Sequence, residues 1–342
     1  MNLGKTKETA KSFTDKTVKS GSQYKYTLKA VNGSVLSTYR DSNTLVYVAE
    51  PVLKITNEAN AISGSWNQVK GAKGYIIYRA EMKDGKWTKW VNLGTAKETA
   101  KTFTDKTVKT GVTYKYTVRA INGKYKSSYS DSNILVFLAV PTVKATNGET
   151  GVKVSWNKIE GATSYIVYRR ELNSSKWSTW KNLGNSQGNS FVDATAVSNT
   201  KYQYAVRAVN GESRSVYKAS QTLQYLAAPT VTLEGAETGI KVSWTKVEGA
   251  KGYTVYRAIL GEDGKWSAWQ NMGTAKETKT SWVDKSIAED VTYRYTVRAI
   301  NGTLKSAYVA SEPLVIESEK EPVPEQPSPE QSTTEQDTNN AN

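Results

Sequence analysis

Three sets of residues recur in the same order at closely similar spacing and carry side chains able to hold a ligand. They are Tyr78, Trp87, Trp90 and Arg119; Tyr168, Trp177, Trp180 and Arg207; and Tyr256, Trp266, Trp269 and Arg298. Aromatic rings flanked by arginine form a platform that could stack sugar rings or bases, with the guanidinium donating to hydroxyls or acidic groups. The alternative is structural: cross-strand aromatic and cation–π pairs that stiffen a sheet. An i, i+3 spacing on one strand sends the two indoles to opposite faces. One ring of each pair is therefore expected to cap a core, and the other to join tyrosine and arginine on the outer face.

Carboxylates offer a second chemistry. Asp105, Asp193 and Asp284 each follow an aromatic position (Phe103, Phe191, Trp282) and could be acid catalysts or calcium ligands. No second carboxylate stands at fixed spacing in all three copies, and no Asp-x-Asp-Gly loop exists. The expectation is a turn-capping aspartate that bonds its own backbone two residues on. The chain has no Cys and no His. That removes Ser/His/Asp and Cys/His triads, the common zinc sites, disulfides and imidazole switches. No catalytic residue, metal or cofactor is assigned.

The formal net charge is +14. Seven acids against Lys320 fall between Glu317 and Asn342, so the remaining body is more basic still. A basic body can hold anionic polymers, and equally can be a soluble lysine-rich surface. Clusters such as Lys86 and Lys89 lack a nucleic-acid motif, so no specific nucleic acid is expected. No stretch approaches the ~18–20 apolar residues of a membrane span, so no membrane insertion is expected.

Those residues sit in an internal repeat. Trp66, Trp156 and Trp244 head the segments Trp66-Asn67, Trp156-Asn157 and Trp244-Thr245, and Pro51, Pro141 and Pro229 each precede a short β-like run. Three full units are read at 49–139, 140–227 and 228–317. Residues 1–48 match the second half of such a unit, since Asn2-Leu3-Gly4 aligns with Asn92-Leu93-Gly94. Met1 is accordingly expected to be an internal start, with any export signal upstream. Residues 318–342, rich in Pro, Glu and Gln, are expected to be a disordered acidic tail.

Within a unit the apolar pattern has period two. Val152, Val154 and Trp156 alternate with Lys153 and Ser155, and Tyr202, Tyr204, Val206 and Ala208 with Gln203, Ala205 and Arg207. Tyr165 and Val167 should face inward, leaving Ile166 and Tyr168 outside. Strands are also read from Trp177 to Leu183 and from Tyr217 to Leu226. Asp84-Gly85, Asp263-Gly264 and the Asn-Gly pairs at Asn122, Asn210 and Asn301 read as tight hairpins, the Asn-Gly pairs as type I′. About seven short strands per 90 residues, with no helical periodicity, predict an all-β chain of antiparallel two-sheet sandwiches.

The lone Trp of the second strand, Tyr-x-Val in the third and Tyr-x-Tyr-x-Val-x-Ala in the sixth resemble fibronectin type III modules. Val108-Lys109-Thr110-Gly111-Val112-Thr113-Tyr114 is similar to that family's Leu-x-Pro-Gly-x-x-Tyr corner, with Val for Leu and Thr110 for Pro. Ile287 to Tyr293 keeps the spacing, whereas Val197 to Tyr202 is one residue shorter. Phe-Thr-Asp-Lys-Thr-Val followed by Gly and Tyr-Lys-Tyr-Thr-Val-Arg-Ala is similar to modules of secreted and surface proteins of Gram-positive bacteria. The resemblance implies tandem immunoglobulin-like seven-stranded sandwiches in an extracellular or cell-surface protein. It implies a non-catalytic spacer and interaction region, whose partners are surface proteins, cell-wall polysaccharide or other anionic surface polymers. A carbohydrate-binding module, or the accessory end of a secreted hydrolase, is the alternative. The Arg-Gly-Asp tripeptide is absent.

Overall fold

A computed structural model of the chain describes residues 1–318. The expected acidic tail therefore lies, apart from Ser318, outside the described residues. All regular structure among the described residues is β, and no helix there is long and apolar enough to cross a membrane. The described residues form two compact units: Met1–Ala228 with Val247–Ala250 and Asn301–Ala307, and Pro229–Lys246 with Lys251–Ile300 and residues 308–318.

Each full repeat is a two-sheet antiparallel sandwich. In the repeat after Pro51, one sheet is Leu53–Asn57, Ile62–Trp66 and Thr102–Asp105, with Ile62–Trp66 in the middle. The other centres on Gly74–Lys83, flanked by Val91–Lys97 and Thr113–Asn122. The same order recurs with Val143–Asn147, Val152–Trp156 and Ser190–Asp193 against Ser164–Asn173, Lys181–Ser186 and Lys201–Asn210. It recurs again with Val231–Ala236, Gly239–Trp244 and Ser281–Asp284 against Gly252–Ile259, Gln270–Lys276 and Thr292–Asn301.

Period-two patterning fixes which side chains fill the space between sheets. Val152, Val154, Trp156, Tyr165, Val167, Tyr202, Tyr204 and Val206 are all buried in one cluster, while Ile166 and Tyr168 are only half-buried. Trp156 meets Tyr165 at a ring separation of 5.4 Å. Leu53, Ile55, Trp66, Tyr75, Ile77, Tyr114, Tyr116 and Val118 do the same one repeat earlier. Residues 1–48 have no such partner sheet. Their pairs, Gln23–Tyr24 with Leu45–Val46 and Thr27–Leu28 with Arg40–Asp41, leave Leu28 79% and Val35 68% exposed.

Several local expectations are corrected. The run Tyr217 to Leu226 is not one strand. Only Ser213–Arg214 and Leu223–Gln224 pair with Lys201–Asn210. Serine hydroxyls take over between them: Ala208 N–H donates to Ser215 Oγ (3.0 Å) and Tyr204 N–H to Ser220 Oγ (3.1 Å). Trp177 to Leu183 is likewise broken, into Lys176–Trp177 and Lys181–Ser186. The Asn-Gly hairpins are not type I′. Asn122 pairs with Tyr125, so Gly123 (φ +59) takes the first central position, and Lys124 stays at negative φ, the type II′ pattern. Asp84-Gly85, with φ +50 and +73, does form the expected tight hairpin, of type I′, whereas Asp263-Gly264 lies in a wider loop in which Gly261 N–H donates to Lys265 O (2.8 Å). Finally, the shorter corner is not shorter. Val197 N–H donates to Tyr202 Oη just as Lys109 N–H does to Tyr114 Oη and Ala288 N–H to Tyr293 Oη, all five residues apart. Ala196, half-buried against the core, therefore stands where Val108 does.

Candidate functional site

The outer face of the larger sheet carries the recurring aromatics, but arranged otherwise than the spacing implies. Both indoles of each pair embrace one cation. Lys115 Nζ lies 4.9 Å from the Trp87 ring centre and 5.1 Å from that of Trp90. The Arg170 guanidinium lies 4.9 and 4.7 Å from Trp177 and Trp180, and that of Arg294 lies 4.2 and 5.0 Å from Trp266 and Trp269. Opposite faces require a continuous pleat, and the pleat ends after the first tryptophan. There Glu81 N–H donates to Thr88 Oγ1 (3.1 Å) and Thr88 N–H to Glu81 O (3.0 Å). A hydroxyl thus replaces the next ladder carbonyl, the chain turns, and the second ring comes round to the first. Ser178 and Ser267 repeat the arrangement. All six indoles are half-buried.

The expected arginines belong to different rings. Arg119, Arg207 and Arg298 lie over Tyr129, Tyr217 and Tyr308, at 4.3, 5.0 and 4.2 Å. Those tyrosines also touch Tyr78, Tyr168 and Tyr256, at 5.8, 5.7 and 5.3 Å, and the second tryptophan of each pair. Each copy is thus a continuous ladder: tryptophan, cation, tryptophan, tyrosine, arginine. Its exposed members are Tyr129 (48%), Tyr217 (37%) and Tyr308 (38%). Burial raises the Tyr256 hydroxyl, and the neighbouring Tyr308 raises it further.

Sequence reasoning missed Tyr129, Tyr217, Tyr308, Lys115, Arg170 and Arg294. The tyrosines repeat as regularly as the tryptophans. The cation hides because it changes strand. Lys115 stands opposite Ala80 and Arg294 opposite Ala258, but Arg170 stands on the other strand, opposite Gln203. Either strand can supply the charge, since the two positions face each other across one rung.

A second constellation is buried between the sheets. Asp105 Oδ1 accepts from the Thr107 N–H (2.8 Å) and hydroxyl (2.6 Å), the expected turn cap. Its other oxygen accepts from Arg79 Nη1 (2.8 Å) and Tyr116 Oη (2.9 Å), which the sequence reading did not foresee. Asp193 binds Thr195, Arg169 and Tyr204 in the same way, and Asp284 binds Ser286, Arg257 and Tyr295. Burial pushes each carboxyl up, but the hydroxyl, N–H, arginine and tyrosine bonds outweigh it and hold all three below the ordinary range. The same burial, reinforced by the carboxylate, raises Tyr116, Tyr204 and Tyr295. Each aspartate thus serves as a fixed counter-ion with both oxygens occupied, leaving no lone pair for a metal or a substrate proton. Among the described residues no group of three acidic side chains gathers to hold a metal.

The third recurring arrangement lies where repeats meet. Thr110 Oγ1 accepts from Ala139 N–H (3.2 Å) and donates to Glu160 O (3.4 Å). Ser20 Oγ accepts from Ala49 N–H (3.0 Å) and donates to Lys70 O (2.7 Å). The offsets, 29 and 50 residues, are identical at both junctions. Beside each hydroxyl two glycine backbones touch, Gly21 with Gly71 and Gly111 with Gly161, where a Cβ on the second would collide with the first. Asn57 Nδ2 donates to Arg214 O (3.2 Å), and Ser213 Oγ accepts from Val136 N–H (2.9 Å), also across the second junction.

Residues 51–131 match the profile of a fibronectin type III family described as the SaeA third domain. The repeats on either side of Pro229 share the strand order of that segment and its tyrosine corner. The structure is a tandem array of fibronectin-type-III-like sandwiches. It is 24% identical over 337 residues to Exoglucanase B of Cellulomonas fimi, covering 86% of this chain and 28% of that protein. It is 32% identical over 100 residues to Amylopullulanase of Thermoanaerobacterium saccharolyticum, covering 29% of this chain and 8% of that protein. The chain therefore spans under a third of either relative. Among solved structures, a two-domain fibronectin type III segment of chicken tenascin aligns at 15% identity with a TM-score of 0.29, covering 51% of this chain and 99% of that one.

Proposed function

We propose that these modules form a non-catalytic, junction-coupled spacer of an extracellular bacterial protein. The observation that carries the reading is the hydroxyl that bridges a linker N–H to a carbonyl of the next module, at the same offsets in both junctions of the first unit. A freely hinged string has no use for an oriented hydroxyl and a glycine–glycine contact at each joint. A repeated joint fixes each module on the last and transmits load between them. The extracellular setting is supported by likeness to an exoglucanase and an amylopullulanase, and the carboxylates, each held by an arginine and a tyrosine, suit scaffold rather than catalysis.

The test is to unfold one module and watch the next. Trp156→Ala removes the core anchor of the repeat at 140–227. Amide exchange in residues 49–139 should then accelerate at Val136, whose N–H donates to Ser213 Oγ of the lost module, and at Ala139, whose acceptor Thr110 Oγ1 loses its own partner Glu160 O. Unchanged exchange there would mean independent beads and would sink the coupled-spacer reading.

A second reading is that the ladder face binds surface polysaccharide. It is favoured by the exposure of Tyr129, Tyr217 and Tyr308 in an otherwise covered stack. Pull-down of the full chain on insoluble cell-wall polysaccharide tests it; recovery at background level removes it.

A further inference from the structure

Two outer-face arginines, Arg207 and Arg294, differ from the inner ones in their partners. Inside, Arg169 and Arg257 each pair with an aspartate. On the outer face, Arg207 and Arg294 make no hydrogen bond to any described residue, and no carboxylate lies within salt-bridge distance of either. Their Nε atoms are buried and lack an acceptor. Each guanidinium is nevertheless held in place: Arg207 over Tyr217 at 5.0 Å, Arg294 between Trp266 and Trp269 at 4.2 and 5.0 Å. Lys115, the counterpart of Arg294, is instead neutralised by Asp131 at 2.7 Å.

A charge stacked on rings with no counter-ion is an incomplete ion pair. Ring quadrupoles pin the cation without reducing its charge, and fixing it beforehand lowers the entropy lost when an anion arrives. A planar guanidinium presents paired donors that match a carboxylate or phosphate oxygen pair. The chain is basic overall, at +14, so an anionic polymer is drawn to it rather than repelled.

We propose that Arg207 and Arg294 are anion-binding stations, each taking a carboxylate or phosphate group of an anionic surface polysaccharide. The inference rests on the reading that the ladder face binds polysaccharide, and it names the chemistry recognised. Each of the two stations acts within its own module. The ring below sets the guanidinium plane, and the anion takes the donors that no protein oxygen uses.

The experiment measures binding of the full chain to three soluble polymers: polygalacturonate, poly(glycerol phosphate) and neutral amylopectin. Two double variants accompany it, Arg207→Gln with Arg294→Gln, and Lys54→Gln with Lys144→Gln. The second pair removes the same charge from exposed positions on the opposite sheets. Binding to at least one anionic polymer but not to amylopectin is expected, weakening as salt is added. Whichever polymer binds identifies carboxylate or phosphate as the source. The arginine double variant should lose roughly tenfold in affinity and the lysine double variant less than about twofold. Equal losses in the two variants would mean diffuse charge attraction and overturn the stations. Salt-insensitive binding to amylopectin equal to that of the anionic polymers would overturn the anionic chemistry while leaving the polysaccharide reading intact. No binding to any of the three would remove both. Should the arginine variant melt early, the salt and polymer comparison on the unmodified chain decides alone.

Discussion

Asp193→Asn is a one-atom change whose cost follows from the buried constellation. Asp193 is 2% exposed and accepts four hydrogen bonds: from Arg169 Nη1 (2.8 Å), Tyr204 Oη (2.8 Å), Thr195 N (3.1 Å) and Thr195 Oγ1 (2.7 Å). Asparagine keeps one acceptor oxygen, which can retain the Thr195 turn. Its NH2 then faces two donors, Arg169 and Tyr204, and Arg169, itself 7% exposed, keeps only one carboxylate, that of half-buried Glu171, 4.0 Å away. Removing one partner of such a pair costs about 3–5 kcal/mol, a large share of the ~5–15 kcal/mol that holds a typical domain. The assay is urea titration of the full chain, read by amide exchange in residues 140–227. The account expects the midpoint of that module alone to fall steeply, and expects Arg169→Met added to Asp193→Asn to recover part of the loss. A loss below about 1 kcal/mol, the worth of a surface ion pair, would refute the claim that this network is a structural counter-ion system.

Acid should act through the same groups. The carboxyls of Asp105, Asp193 and Asp284 lie below their unfolded value of 3.8, so their stabilisation is present above that value and is lost as pH falls through the folded value. Denaturation midpoints should therefore stay level toward pH ~5 and drop below about pH 4, and that drop should be smaller in Asp193→Asn. Trp156→Ala should destabilise its own module by about 3–5 kcal/mol, measured by chemical denaturation; a cost near zero would place the indole outside the core. Gly161→Ala should loosen the second junction without unfolding a module, because its Cβ meets the Gly111 backbone and its φ is +76. Limited proteolysis at Ala139–Pro141 reads this directly, and wild-type resistance would contradict the close contact. Amides of residues 1–48 should exchange faster than those of 140–227, since Leu28, Val31, Val35 and Leu36 are exposed; equal protection would contradict the exposed face.

The sandwich was legible because inward positions follow strict alternation. Tyr202, Tyr204 and Val206 are buried as period two requires, and the tyrosine corner is legible from Val108 to Tyr114 and Ile287 to Tyr293, but misplaced by one residue at Val197 to Tyr202, where Ala196 takes the apolar position. The site was legible only in composition. Spacing rules for a strand failed at Trp87 and Trp90 because Thr88 substitutes a side-chain hydroxyl for a main-chain partner. The same substitution by Ser215 and Ser220 dissolves the last strand and frees Tyr217 to reach across the sheet. Side-chain bonds that mimic the ladder leave no periodic signal. The exchange of the cation between facing strands, Arg170 for Lys115, is equally invisible along one strand and plain once the register is known. The Asp105 turn cap could be read from local sequence, whereas its arginine and tyrosine partners come from two other strands.

The coupled junction is tested most directly by distance. The chain has no cysteine, so Lys86→Cys with Lys176→Cys gives two unique spin-label sites at exposed, equivalent positions in neighbouring repeats. Double electron–electron resonance on the full chain should give one narrow distance peak, and adding Thr110→Val, which deletes the bridging hydroxyl, should broaden it. A broad distribution in the parent, indifferent to Thr110, would contradict the account.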